Sequence, residues 1–538
     1  MSSFDRRSFI SRILLAIGAG SLIGSVNNSC KPSIEIKKIP GQIIGASAER
    51  GHMLRNPAFG IPLSEEEIDC VIIGGGVSGL SAAWWLKKYG VNNFRLLELE
   101  DKVGGNSSFG ANEITAYPWA AHYLPIPDLS MKELQDFLVE SGIINNINDK
   151  GLPEYNEYYL CFAPEERLYI NGYWQDGLIP NFGVPQEDRQ EIMRFLELMD
   201  QYRNLKGVDG KYAFAIPLDR SSVDEDLLKL DKISFEEFLI SEGFNSKYLF
   251  WYVSYCCRDD YGTDFNNTSA WAGIHYFASR KGIAANADKS DVLTWPEGNG
   301  FLTKKLSQGM ENNIFSGQVV HNITTEREIV FVDYFDVKNR VTKRLKAKKC
   351  IVATPQFVTA RLLKLSDHGK DYRYAPWMVA NITLTDIPEK SGRPLSWDNV
   401  FYGTKSLGYV YANHQNISME RNKKVVTYYY PLSYKDAKQA REEAYKTTHE
   451  EWVNIILSEL GKVHPAIDKY IENVDVMVWG HGMISPYPGF IWEKRKSGQM
   501  NTFGNKIFYA HSDLSGISIF EEAFYQGINA AKKVLNHA

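Results

Sequence analysis

Six consecutive residues, Gly74-Gly75-Gly76-Val77-Ser78-Gly79, have the types and spacing to hold a diphosphate. Gly74 lets the chain turn sharply, Gly76 leaves room for phosphate to approach the backbone, and Gly79 lets a following helix pack closely. An acid, Glu98, stands 19 residues after Gly79, near the roughly 20 at which a carboxylate meets ribose hydroxyls. That carboxylate repels a 2′-phosphate, which disfavours a phosphorylated nicotinamide cofactor. The chemistry implied is dinucleotide binding; the bland alternative is a glycine turn with no ligand.

The flanking elements suit the first reading. Cys70-Val71-Ile72-Ile73 is a short apolar run ended by glycines, as expected of a buried strand. Leu80 to Tyr89 is helical in pattern and stops at Gly90, a C-cap residue. A second strand, Phe94 to Leu97, carries the chain to Glu98. The helix N-terminus offers free N–H groups and partial positive charge to an anion.

The continuation Glu98-Leu99-Glu100-Asp101-Lys102-Val103-Gly104-Gly105-Asn106 resembles the E-x-x-x-x-V-G-G-R segment of the flavin-containing amine oxidoreductases. That superfamily includes monoamine and polyamine oxidases, protoporphyrinogen oxidase and phytoene desaturase-like enzymes. The resemblance implies FAD, with Gly104 and Gly105 along its pyrophosphate. Asn106 stands where many relatives have Arg, so one charge-assisted phosphate contact is lost. The same resemblance lays Ala120 and Ala121 along the flavin ring, with His122 and Tyr123 close by. It places the Val320 backbone at the adenine and Asp513, in Phe508-Tyr509-Ala510-His511-Ser512-Asp513, at the ribityl and pyrophosphate region. It points the N-terminus of a closing helix, Ile519 to Leu535 with Phe520 in its first turn, at the flavin. Asn381, on the expected strand Ala375 to Thr385, stands at or near a Lys that the family's amine oxidases link to reaction with oxygen. The substitution weakens an oxygen-using reading. Ile519 aligns with an aromatic that flanks the amine in monoamine oxidases, so an aromatic cage is unsupported on that side.

The implied architecture is α/β: a Rossmann-like FAD-binding domain interleaved with an α+β substrate domain of mixed sheet and helices. The FAD-binding parts are expected at 66–128, 293–356 and 477–538. The substrate domain is expected at 129–292, mainly helical, and at 357–476. A chain of 538 residues exceeds one compact core. Residues 1–30 form a targeting segment, in which Asp5-Arg6-Arg7-Ser8-Phe9-Ile10 resembles a twin-arginine signal followed by an apolar run. The expected partner is the twin-arginine export machinery, and the expected location is the periplasm or a membrane-anchored lipoprotein. Cys30 lies where a lipoprotein signal would end, though Asn27 and Asn28 fit that pattern poorly; a lipid anchor there stays open. Residues 31–65 read as an irregular leader or arm.

With a net charge of −5 and no dense Lys/Arg stripe, nucleic acid is not expected as a partner. The cysteines show neither a disulfide framework nor metal-ligand spacing, and no metal is expected. The remaining partner is a small-molecule substrate. Candidate catalytic residues are His122, Tyr123, Asn381 and His481; of these, the two histidines titrate near neutral pH and suit proton transfer. Asp259-Asp260 either attracts a cationic substrate or forms a cap and salt bridge with Arg258. The expected function is an exported FAD-dependent oxidoreductase moving hydride from an organic substrate, such as an amine, to the flavin. A mutase or isomerase without net redox, and a flavin-binding surface protein, remain as alternatives.

Overall fold

Two eight-stranded sheets are assembled from alternating stretches of the chain. The computed structural model describes residues 38–55, 58–366, 368–416, 423–496 and 502–536. The expected export signal, apolar run and Cys30 lie outside the described residues.

The first sheet begins with Glu65–Ile73, whose last four residues are buried. Phe94–Leu97 pairs parallel on one side and Val341–Val352 on the other. Ile314–Phe315 and Ile507–Tyr509 also join in parallel, and Ile329–Asp336 and Gln318–Glu326 extend the sheet as an antiparallel ribbon. Near-continuous apolar runs such as Cys70–Ile73 are what a parallel sheet covered on both faces requires. Helix Val77–Lys88 returns the chain between the first two strands. It packs against the closing helix Phe520–Asn536, where a Cβ on Gly527 would lie 2.1 Å from the Ser78 carbonyl.

The second sheet runs in the spatial order Ile43–Ile44, Ile471–Ile484, Tyr374–Leu384, Lys424–Pro431, Gly408–Tyr411, Asp398–Phe401, Glu166–Ile170, Tyr173–Asp176. Helices Gln186–Asn204, Lys247–Tyr261 and Ala270–Ala278 pack together beside it. The whole is a mixed α/β fold with a Rossmann-like nucleotide-binding sheet and a second mixed sheet interleaved along the chain. Both sheets belong to one compact unit, Ile39–Ala538.

Four expectations change. The leader is not all irregular: Ile43–Ile44 adds an edge strand beside Ile471–Ile484, and Ser47 and Arg50 bond Glu100, Leu99 and Asp101. The stretch 129–292 holds two hairpins as well as helices, Ile144–Ile147 with Pro153–Tyr155 and Glu166–Ile170 with Tyr173–Asp176. The boundary drawn at 476/477 falls inside one continuous strand, Ile471–Ile484. The amphipathic pattern over Tyr434 to Leu460 predicts one helix, and the chain forms two there, Ala437–Ala444 and His449–Val463. Thr448 and Glu451 form a capping box that restarts the second.

Candidate functional site: a dinucleotide groove opening into an acidic cavity

The groove is built around two loops. Gly74 leaves the first strand at φ +103°, where its absent Cβ would lie 2.6 Å from the Ala353 carbonyl. Gly76 caps the following helix without a side-chain hydrogen bond, and a Cβ there would meet open space. Gly79 lies behind the loop, where a Cβ would be 1.9 Å from the Gly74 carbonyl. The second loop docks on the first: Gly104 N–H donates to Gly75 O at 2.8 Å, and Gly104 and Gly105 both have positive φ. Glu98 closes the wall, accepting N–H bonds from Gly75 at 2.6 Å and Glu100 at 2.8 Å. Burial raises its carboxyl to about 7, against those bonds.

The resulting groove has a volume of about 1340 Å³. Gly74, Gly76, Val77, Ser78, Glu98, Gly104, Gly105, Asn106, Ala121, Val320, Asp513 and Phe520 line it. Of the residues expected at the cofactor, Gly79 and His122 do not. Gly79 serves the packing behind the turn, and His122 belongs to the neighbouring chamber. Asp513 is buried and accepts from Gln356 N–H at 2.8 Å and from the Tyr374 hydroxyl. Burial would raise its carboxyl, but His511 and these donors outweigh it and hold the carboxyl below the usual range. An uncapped helix N-terminus with open space at Gly76 and a buried acid at the first loop fit the diphosphate and ribose of FAD.

Sequence reasoning missed Leu54, Gln318, His511 and Ser518 in this wall. Leu54 belongs to the segment read as an arm. His511 and Ser518 sit on irregular connections whose side-chain direction has no periodic signal, and Gln318 opens the strand Gln318–Glu326. His481 also lines the groove, stacked on Phe357 with ring centroids 4.5 Å apart. Burial, with Arg441 and Arg55 nearby, lowers it to about 3. His481 is therefore a neutral wall residue, and it does not reach the substrate side.

The segment 118–122 forms the partition between groove and cavity, and the second sheet pins it by three carbonyls. Asn381 Nδ2 donates to Pro118 O at 3.0 Å, Trp479 Nε1 to Trp119 O at 2.8 Å, and the Tyr429 hydroxyl to Ala120 O at 2.8 Å. Asn381 is buried, and its amide oxygen accepts from the Thr427 hydroxyl. It lines neither chamber and is a positioning residue, contrary to its expected catalytic place.

Beyond the partition lies an inner chamber of about 800 Å³. It shares Asn106, Ala121, Gly482, Ser518, Ile519 and Phe520 with the groove, so the two are continuous along that wall. Asn299 lines it, 2% exposed, with an amide oxygen that no protein donor satisfies. An outer chamber of about 1280 Å³ shares His122, Tyr123, Pro125, Asp259, Arg280 and Tyr429 with the inner one. His122 and Tyr123 thus face both chambers.

Burial lowers His122 to about 4, so the imidazole is neutral at physiological pH. Its Nδ1 lies 3.3 Å from Ala120 O. A carbonyl can only accept, which assigns the proton to Nδ1 and leaves Nε2 as a free acceptor. The Tyr123 hydroxyl donates to Asp259 at 3.4 Å, and burial holds it protonated. The acid pair is resolved differently from the sequence expectation. Asp260 is paired with Arg280 Nη2 at 2.9 and 3.2 Å, whereas Arg258 donates to the Lys405 carbonyl.

Comparison with known proteins agrees with this geometry. A family model described as an NAD(P)-binding Rossmann-like domain matches residues 72–140. An L-amino acid dehydrogenase of Synechocystis sp. is 22% identical over 57% of this chain; the match spans 60% of that protein's length. Flavin-containing amine oxidase A of Sus scrofa is 50% identical over 50 residues, 9% of each chain. A redesigned putrescine oxidase superposes with TM-score 0.64 at 15% identity, covering 88% of this chain and all of that one. The fold is thus the one seen in that protein, with a Rossmann-like nucleotide-binding domain joined to a second mixed sheet.

Proposed function

We propose that this protein is an FAD-dependent oxidoreductase acting on an amine. The observation that carries the reading is the shared wall of Asn106, Ala121, Gly482 and Phe520, which joins the dinucleotide groove to the inner chamber. The names of the similar proteins, a dehydrogenase of L-amino acids and amine oxidases, support the substrate class.

When bound, FAD supplies acceptance of two electrons as hydride from a substrate carbon. The residues do the rest. Gly74–Ser78, Gly104 and Gly105 would hold the diphosphate, and Glu98 the ribose. The partition at 118–122, clamped by Asn381, Trp479 and Tyr429, sets the distance between substrate and cofactor. His122 Nε2, held neutral, accepts a hydrogen bond from the substrate nitrogen and orients it; the amine itself must lose its extra proton to water before its carbon yields hydride. The N-terminus of helix Phe520–Asn536 meets the groove at Phe520 and favours the negative charge of the reduced state.

Anaerobic titration with amines, followed by visible absorbance, tests the reading. Stoichiometric bleaching is expected; turnover without bleaching would instead favour an isomerase. The Arg6-Arg7 pair supports export as part of this proposal. Replacing both by Lys should retain the protein in the cytoplasmic fraction.

A further inference from the structure

We infer that Asn299 is a specificity-determining residue: its carboxamide oxygen accepts one N–H of the reacting nitrogen in the inner chamber, His122 Nε2 accepts a second, and the pair selects a primary amine over its N-alkylated forms. This deepens the proposed function and rests on it for the reacting nitrogen.

The state of the Asn299 side chain carries the inference. Asn299 is buried and lines the inner chamber but not the dinucleotide groove. Its amide oxygen has no donor. Partners are close at hand, because Asn299 stands directly before helix Gly300–Ser307, where Asn commonly caps a helix by accepting a backbone N–H. Its side chain makes no such bond. Donors that line the chamber are engaged elsewhere. Arg280 is paired with Asp260, the Tyr123 hydroxyl donates to Asp259, and Tyr429 and Trp479 hold the partition. Trp377 Nε1 lies against Gly262, where an added Cβ would be 2.6 Å from it. A buried acceptor left unpaired is unfavourable, and a ligand N–H removes that penalty.

The backbone fixes this amide beside His122. Asn299 N–H donates to Ala121 O at 3.0 Å, and Thr303 N–H donates to Asn299 O at 3.2 Å. Gly298, at φ +58°, brings the two segments so close that a Cβ there would lie 2.7 Å from the Ala121 carbonyl oxygen and 2.8 Å from His122 Cα. Asn299 and His122 are therefore neighbours across one backbone contact, and both line the inner chamber. His122 keeps its proton on Nδ1, toward Ala120 O, and offers Nε2 as an acceptor.

Two uncommitted acceptors in one chamber call for a nitrogen that carries two hydrogens. A neutral primary amine has two N–H bonds and satisfies both. An N,N-dimethyl amine has no N–H when neutral and one when protonated, so at least one acceptor stays unpaired. Its methyl groups must also find room beside the two side chains. A site built to accept a substrate N–H rejects the analogue without it far more strongly than an apolar pocket rejects an added methyl group.

The test uses FAD-loaded protein at constant pH and ionic strength. Butylamine, cyclohexylamine and benzylamine are each compared with their N,N-dimethyl derivatives by anaerobic flavin reduction and by shift in melting temperature. Both members of each pair are cations in water, so their ratio is insensitive to a change of charge at residue 299. Wild-type protein should prefer the best primary amine over its dimethyl derivative by at least about tenfold in efficiency. Asn299→Leu, which keeps the shape without the acceptor, should bring that ratio toward one. Asn299→Asp, which keeps an acceptor, should retain it. A ratio unchanged in Asn299→Leu, or lost equally in both variants, would overturn the inference and leave the proposed function standing. So would a weakened FAD affinity in Asn299→Leu with the ratio intact, which would put the amide on the cofactor. If no amine reduces the flavin, yet a primary amine raises the melting temperature of wild type and Asn299→Asp but not of Asn299→Leu, the Asn299 site stands and the oxidoreductase reading fails. Neither reduction nor a shift would overturn both.

Discussion

The dinucleotide groove and the outer chamber lie in one molecule but are built on opposite principles. The groove is mostly backbone: glycines at Gly74, Gly76 and Gly104, a helix end and two carboxylates, both hydrogen-bonded by N–H groups. Every charge in it has a protein partner. The outer chamber is mostly side chains from separated stretches of the chain, and Arg203, Arg280 and Lys289 line it beside Glu166, Asp259 and Asp398. A site whose ligand binds through its phosphates can be satisfied by backbone geometry. A chamber lined by buried acids that are not ion-paired holds those charges at the expense of stability.

The sharpest way to break this contrast is Gly76→Val. The new side chain would fill the open space where diphosphate approaches, so FAD binding should weaken by at least about a hundredfold, near 2.7 kcal/mol. Visible absorbance of the purified protein measures the loss, and an unchanged far-ultraviolet circular dichroism spectrum would show that the fold survives. Next is His122→Gln, which removes the free acceptor at Nε2. Flavin reduction should slow by about a hundredfold with FAD content unchanged. Because burial lowers His122 to about 4, the wild-type rate should show no His122 protonation limb between pH 6 and 8.

Asn381→Ala should cost about 1–3 kcal/mol by orphaning the Pro118 carbonyl and the Thr427 hydroxyl. Unfolding in denaturant measures it, and Asn381→Asp should recover only the Thr427 bond. The smallest effect concerns the outer chamber. Glu166 and Asp259 have folded pKa values raised to about 7, above their unfolded values. Their protonated forms are favoured in the folded state, so this contribution is present at low pH and lost as pH rises through 7. The melting temperature of substrate-free protein should therefore fall from about pH 4.5 to about pH 7 and level off above it, and the fall should be smaller in Asp259→Asn.

Much of the groove was readable from residue order alone. Strand, glycine turn, helix and acid are contiguous from Ile68 to Asn106, and their spacing is set by local geometry. The second sheet was partly readable: the expected strand over Ala375 to Thr385 corresponds to Tyr374–Leu384. Its side-chain roles were not. Asn381 reads as a polar residue aimed at a site, but it is spent on the Pro118 carbonyl and lies outside both chambers. His481 reads as a base, but the strand Ile471–Ile484 carries it to the cofactor groove. Asp259 and Asp260 look equivalent in sequence, and only the position of Arg280 separates them.

The amino-acid order by itself determined a dinucleotide-binding turn, an α/β framework and the identity of the loops that meet at it. These follow from short-range sterics, from periodicity and from where glycine is required. Only the tertiary structure decided that Glu166, Asp259 and Asp398, separated by up to 232 positions, face one cavity. Electrostatic interaction depends on distance through the folded protein and on the water excluded between groups, and neither quantity is written along the chain.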